Sequence, residues 1–131
     1  MSNSILNIIM VATGGALGSV MRYLSSEFLT YFFRAQLFPV GTFFVNVLGS
    51  FLAGILYYFL IKYFNYFNLS HRSFLLAGFL GGFTTFSAFC LDFFRLFTSG
   101  NYNMAILYAL MSVIFSILAL FFGFYLMKFI A

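Results

Sequence analysis

The sequence predicts an all-α membrane protein of four transmembrane helices, the third of them broken. Three observations carry this. The 131-residue chain is 64% hydrophobic and only 6% charged, with a mean hydropathy of +1.09. A soluble domain of this length cannot bury so much apolar surface. The apolar residues fall into four stretches, each near the about 20 residues that a bilayer crossing requires. The third stretch contains Gly78-Phe79-Leu80-Gly81-Gly82-Phe83-Thr84-Thr85-Phe86-Ser87-Ala88-Phe89, which is a poor continuous helix. A Gly-Gly pair loosens the backbone, and adjacent Thr side chains compete for its hydrogen bonds. In hydrocarbon a freed N–H or C=O must meet protein, water or an ion, so a break at this depth reads as a site. A plain kink or close helix contact suits the same residues, and composition leaves the two open.

The expected spans are Ile5–Tyr23, Val40–Tyr63, Phe74–Phe97 and Met104–Ile130, within one integral membrane domain over residues 1–131. Met1 to Ser4 carry no Lys or Arg, and Ile5 onward reads as a first span, not a cleaved signal. Gly14 and Gly18 lie one turn apart, a spacing that lets helix backbones approach closely. Gly41, Gly49, Ser50, Ala53 and Gly54 do the same for the second span, which Pro39 opens where its missing N–H costs little. Leu24–Phe38 is amphipathic enough to lie as an interfacial helix.

Charge constrains orientation and partners. Six Lys and Arg against two Asp and Glu give a net +4, but the cations are scattered singly, so no nucleic-acid patch exists. Lys62, Arg72 and Lys128 fall on one side of the predicted spans, and Arg22, Arg34 and Arg95 on the other. With three against three, the positive-inside rule sets no direction. Such a chain can insert both ways, and opposite copies can pair antiparallel. A single Cys90 and a single His71 exclude an intramolecular disulfide and leave too few soft ligands for zinc. No nucleophile–base pair points to an enzyme.

Thr42, Asn46 and Ser50 are four apart on the second span, and Tyr108, Ser112 and Ser116 repeat that spacing on the fourth. Each set shares one helix face. Such stripes serve as interhelical glue, worth about 0.6 kcal/mol per bond, or as the wall of a polar path. Two neutral stripes beside a broken helix favour the path. Its hydroxyls and amide can donate to an anion. Phe86 and Phe89, three apart, can turn the positive edges of their rings to one line, although with 23 Phe in the chain any Phe spacing arises cheaply. The main alternative is a small four-helix proton-coupled exporter. That reading needs an intramembrane carboxylate, and only Asp92, three residues from Arg95, could serve; a simple Asp92–Arg95 ion pair near the interface is the plainer use.

The blocks Gly14-Gly15-Ala16-Leu17-Gly18-Ser19-Val20-Met21-Arg22-Tyr23, Gly41-Thr42-Phe43-Phe44-Val45-Asn46-Val47-Leu48-Gly49-Ser50-Phe51 and Gly78 to Ser87 resemble the signature segments of the Fluc (CrcB) family of fluoride channels. The resemblance covers all four spans in the family's order. It implies an antiparallel dual-topology homodimer in the inner (plasma) membrane, with two fluoride pores and one structural sodium ion on the dyad. It implies main-chain carbonyls of Gly81 and Thr84 as sodium ligands, and Asn46, Phe86, Phe89, Tyr108 and Ser112 as the fluoride path. Thr42 and Ser87 match further wall positions, and Arg22 a vestibule position. Ala88 stands where the family usually has Ser or Thr, and Cys90 where it often has Ser. The implied activity is passive export of cytoplasmic fluoride, which lowers its toxicity.

Overall fold

The computed structural model describes residues 3–34, 37–63 and 66–131. Within them the chain is helical, and four helical stretches are long and apolar enough to cross a membrane. The first is helix α1 (Asn3–Phe32) and the second helix α2 (Val40–Lys62). The third is composite: α3 (Leu69–Arg72), a π-helical segment π1 (Ser73–Leu80), one turn α4 (Gly81–Phe83), and α5 (Phe86–Thr98). The fourth is α6 (Tyr102–Ile130).

The first helix runs well past the expected end at Tyr23. Leu24 to Phe32 continue α1 with no separate interfacial helix, and Ala35 and Gln36 of that stretch lie outside the described residues. Nothing in Leu24–Phe32 breaks helical hydrogen bonding, since the Pro that could do so comes only at position 39. One consequence concerns charge. Arg22 lies inside α1 and not in a connection, so the cations near the two ends become Lys62, Arg72 and Lys128 against Arg34 and Arg95.

The other ends have local causes. Asn68 caps α3, its Oδ1 accepting the His71 N–H at 3.0 Å, and Ser70 Oγ donates to Asn7 Oδ1 at 2.9 Å, tying that start to α1. The α5 terminus closes on Gly100, whose φ of +81° suits only glycine at low cost. Gly100 N–H donates to Phe97 O at 3.1 Å and Asn101 N–H to Leu96 O at 3.0 Å, the paired bonds of a Schellman turn. That tight turn folds α6 back along α5.

The helices pack as close pairs. α2 lies chiefly on α6, and α1 on π1 and α4. Glycine makes the second pairing possible: a Cβ on Gly14 would stand 2.5 Å from Phe74 O, and one on Gly82 2.5 Å from Gly15 O. Gly54 on α2 and Gly123 on α6 meet backbone of the opposite helix in the same way. The interior is small. Val45, Phe83, Leu96, Ala105 and Tyr108 are buried, while large apolar side chains of all four stretches face outward, as they do where lipid or another helix surface is the solvent.

Candidate functional site

The centre of the molecule lies where α4 gives way to α5. Thr84 (φ −87°, ψ 158°) and Thr85 (φ −152°, ψ 122°) are extended, and side chains take over the hydrogen bonds the helix loses. In an uninterrupted helix Thr85 N–H would serve the Gly81 carbonyl and Ala88 N–H the Thr84 carbonyl. Instead Thr85 N–H donates to Asn46 Oδ1 at 2.7 Å, and Ala88 N–H donates to Thr85 Oγ1 at 3.2 Å. Thr85 is thus the N-cap of α5, a role Thr fills because its hydroxyl reaches the third N–H of the helix. The Gly81 and Thr84 carbonyls lose their helical donors as a result. The Gly82 carbonyl gains a new one, Arg22 Nε of α1, at 3.0 Å. Asn46 also donates Nδ2 to the Thr85 carbonyl at 2.9 Å, so one amide satisfies both main-chain groups of Thr85. Gly49, one turn from Asn46, leaves the space that the Thr84 methyl and the Phe83 ring fill.

Beside this segment an open cavity of about 310 Å³ is lined by Asn46, Thr85, Phe86, Phe89, Ser112 and Ser116, among others. The Phe86 and Phe89 rings stand 5.4 Å apart at 35°. Phe89 continues to the Tyr108 ring at 5.4 Å, and Phe38 meets Tyr108 edge-on at 5.5 Å. Phe86 is 75% exposed, so the row of rings runs from the buried Tyr108 to the outer surface of the chain. The buried Tyr108 hydroxyl lies beside Thr42, Ser112 and Asp92, yet neither it nor Ser112 Oγ makes a well-formed hydrogen bond among the described residues. A buried hydroxyl without a partner costs about 1–3 kcal/mol; a guest that accepts hydrogen bonds would relieve that cost.

Asn46, Phe86, Phe89 and Ser112 thus meet at one cavity, with Tyr108 against Phe89. Thr42 and Ser87 are not among the residues lining that cavity, but Thr42 lies beside the Tyr108 hydroxyl and Ser87 beside Thr85. Thr42 Oγ1 donates to Asp92 Oδ2 at 2.6 Å, and the exposed Ser87 has its Oγ 3.4 Å from Thr85 Oγ1. Arg22, the residue of the implied vestibule position, holds the Gly82 carbonyl through its Nε. Asp92 and Arg95 do form the expected ion pair, at 3.3 Å. What the one-dimensional reading lacked was the partner of Asp92 across the helices, because residues 42 and 92 are joined only by packing. Thr42→Val keeps the shape and removes the donor to a largely buried carboxylate. It is expected to destabilise the protein by about 1.5–3 kcal/mol, read as a lowered melting temperature in detergent; an unchanged melt would mean the bond contributes nothing.

Comparison with known proteins follows the same residues. The family described as "CrcB-like protein, Camphor Resistance (CrcB)" matches residues 9–124. The chain is 46% identical over 123 residues to the "Fluoride-specific ion channel FluC" of Rhizobium meliloti, covering 93% of this chain and 96% of that protein. It is 45% identical over 118 residues to the protein of that name from Agrobacterium fabrum, covering 90% and 93%. A third, from Azobacteroides pseudotrichonymphae, is 41% identical over 122 residues, covering 93% and 96%. Matches of this extent, running through every helix and through the Gly81–Phe89 segment, establish that the chain belongs to the CrcB family.

Proposed function

We propose that this protein is a fluoride-selective passive channel that exports cytoplasmic fluoride across the inner membrane. The observation that carries the reading is the cavity at Asn46, Phe86, Phe89 and Ser112, together with the Tyr108 and Ser112 hydroxyls. These groups suit a small anion. The two hydroxyls make no well-formed hydrogen bond among the described residues, the second proton of Asn46 Nδ2 is available, and the Phe rings present positive edges. Fluoride, small and strongly hydrogen-bonding, exchanges part of its water shell for these donors along the row from Phe86 to Tyr108. An inside-negative potential, worth about 2.3 kcal/mol per charge per 100 mV, drives the anion outward without a pump. A proton-coupled exporter fits less well, because the carboxylate of Asp92 is already held by Thr42 and Arg95.

Two copies in antiparallel arrangement form the working unit in this reading. The near balance of end charges, three against two, supports insertion in both directions. Main-chain carbonyls of Gly81 and Thr84 from each copy would hold one structural sodium ion. The chain fits such an ion: both carbonyls have lost their helical donors to side-chain interactions, and neutral carbonyl oxygens are ligands for a hard cation. Among the described residues no three His, Cys, Asp or Glu side chains cluster, so backbone oxygen is the ligand this region offers. When bound, the ion supplies positive charge that offsets carbonyl dipoles brought together by two copies.

Efflux from liposomes is the test. Vesicles loaded with fluoride and holding the purified protein should release it far faster than empty vesicles once a potential is allowed to form, with chloride retained. Release no faster than from empty vesicles by folded protein sinks the channel reading. Ser112→Ala removes one of these donors and is expected to slow fluoride release about tenfold, the scale of one hydrogen bond to a charged group; an unchanged rate would place Ser112 off the path.

A further inference from the structure

The residues around the break distinguish between its main-chain oxygens. Arg22 Nε of α1 donates to Gly82 O at 3.0 Å. Asn46 Nδ2 of α2 donates to Thr85 O at 2.9 Å, while its Oδ1 accepts Thr85 N–H at 2.7 Å. The oxygens just before each capped one, on Gly81 and Thr84, have lost their helical donors and receive neither side chain. The pattern is therefore uncapped then capped at 81–82 and, with Phe83 O between them also without a side-chain donor among the described residues, again at 84–85. It rests on close packing, since Gly18, one turn before Arg22, lies against the backbone of Phe79 and Phe83, which brings the guanidinium to Gly82.

We infer that Arg22 and Asn46 are positioning residues that sort these oxygens, each capping one carbonyl and leaving its neighbour for a cation. Arg22 acts through its Nε–H and not through its charge, and Asn46 holds the backbone as a second strand would. This deepens the sodium reading given above and rests on it. A preorganised set of ligands binds more tightly because the ion need not order them. With Gly82 O uncapped, or Thr85 released from Asn46, the segment can turn a different oxygen inward.

The discriminating substitution is Arg22→Gln, because glutamine places an amide N–H where arginine has Nε–H and carries no charge. Arg22→Met has similar length and no donor, and Asn46→Leu removes both contacts to Thr85. The measurement is the sodium concentration giving half of the full thermal stabilisation of the detergent-purified protein, titrated with NaCl against N-methylglucamine chloride. The wild type should be stabilised by sodium; if it is not, the sodium reading itself falls. Given that response, Arg22→Gln should keep the wild-type midpoint, while Arg22→Met and Asn46→Leu raise it about tenfold, the effect of losing one well-made bond to a charged or buried group. Should Arg22→Met fail to fold, a wild-type midpoint in Arg22→Gln still supports the donor role. A midpoint raised in Arg22→Gln as far as in Arg22→Met, failure of Arg22→Gln to fold, or wild-type midpoints in both Arg22→Met and Asn46→Leu would overturn the inference.

Discussion

Asn46→Asp is expected to cut fluoride release from reconstituted vesicles about 100-fold. A carboxylate there sets its lone pairs against the Thr85 carbonyl that the amide now donates to at 2.9 Å. It also adds a negative charge to the cavity wall. At an effective dielectric constant of about 20 and a separation of about 6 Å, that charge opposes a passing anion by about 3 kcal/mol. A barrier raised by that amount slows passage roughly 100-fold. Release rates at neutral pH would check it, with lower pH partly restoring flux as the carboxylate takes up a proton. The sign follows from the charge: the neutral acid no longer repels the anion and regains a donor. Flux within twofold of wild type would remove Asn46 from the path.

Gly82→Val is expected to abolish folded protein. Even a Cβ at this position would stand 2.5 Å from Gly15 O and 3.1 Å from Ser19 N. Both are backbone of α1, which cannot swing aside as a side chain can. Forcing the helices apart also draws Arg22 from the Gly82 carbonyl. The cost exceeds the about 1–3 kcal/mol typical of overpacking, because a whole helix pair must separate. Gly15→Ala is the control. A Cβ on Gly15 would meet only Gly78 O, at 3.9 Å, an ordinary contact. Size-exclusion profiles in detergent should show a single sharp species for Gly15→Ala and aggregate for Gly82→Val; a sharp wild-type-like peak for Gly82→Val would refute the tight fit.

Much of this architecture was legible in one dimension. Four apolar stretches and their short connections follow from the length a helix needs to cross hydrocarbon, and each observed helical stretch contains or closely matches its expected span. The spacing of Gly14 and Gly18 announced a close helix approach, which the packing on π1 realises. The two stripes, Asn46 on α2 and Tyr108 with Ser112 on α6, were readable because residues four apart share a helix face. The boundary at Tyr23 was not, since polar residues such as Ser25, Ser26 and Glu27 resemble a connection although they can continue a helix beyond the hydrocarbon.

By itself, then, the sequence determined the solvent, the number of helices, the weak point at Gly81–Thr85 and which polar residues share a face. These are local properties, set by composition and helical periodicity. Tertiary structure alone decided the partners: Asn46 on Thr85, Arg22 on Gly82, Thr42 on Asp92, and the hydroxyls of Tyr108 and Ser112 left without a well-formed bond among the described residues. Each of those outcomes depends on how far apart two helices lie and how they are rotated. Glycine contacts between backbones set both for α1 on π1 and α4 and for α2 on α6, while the bonded partners lie 39 to 60 residues apart along the chain.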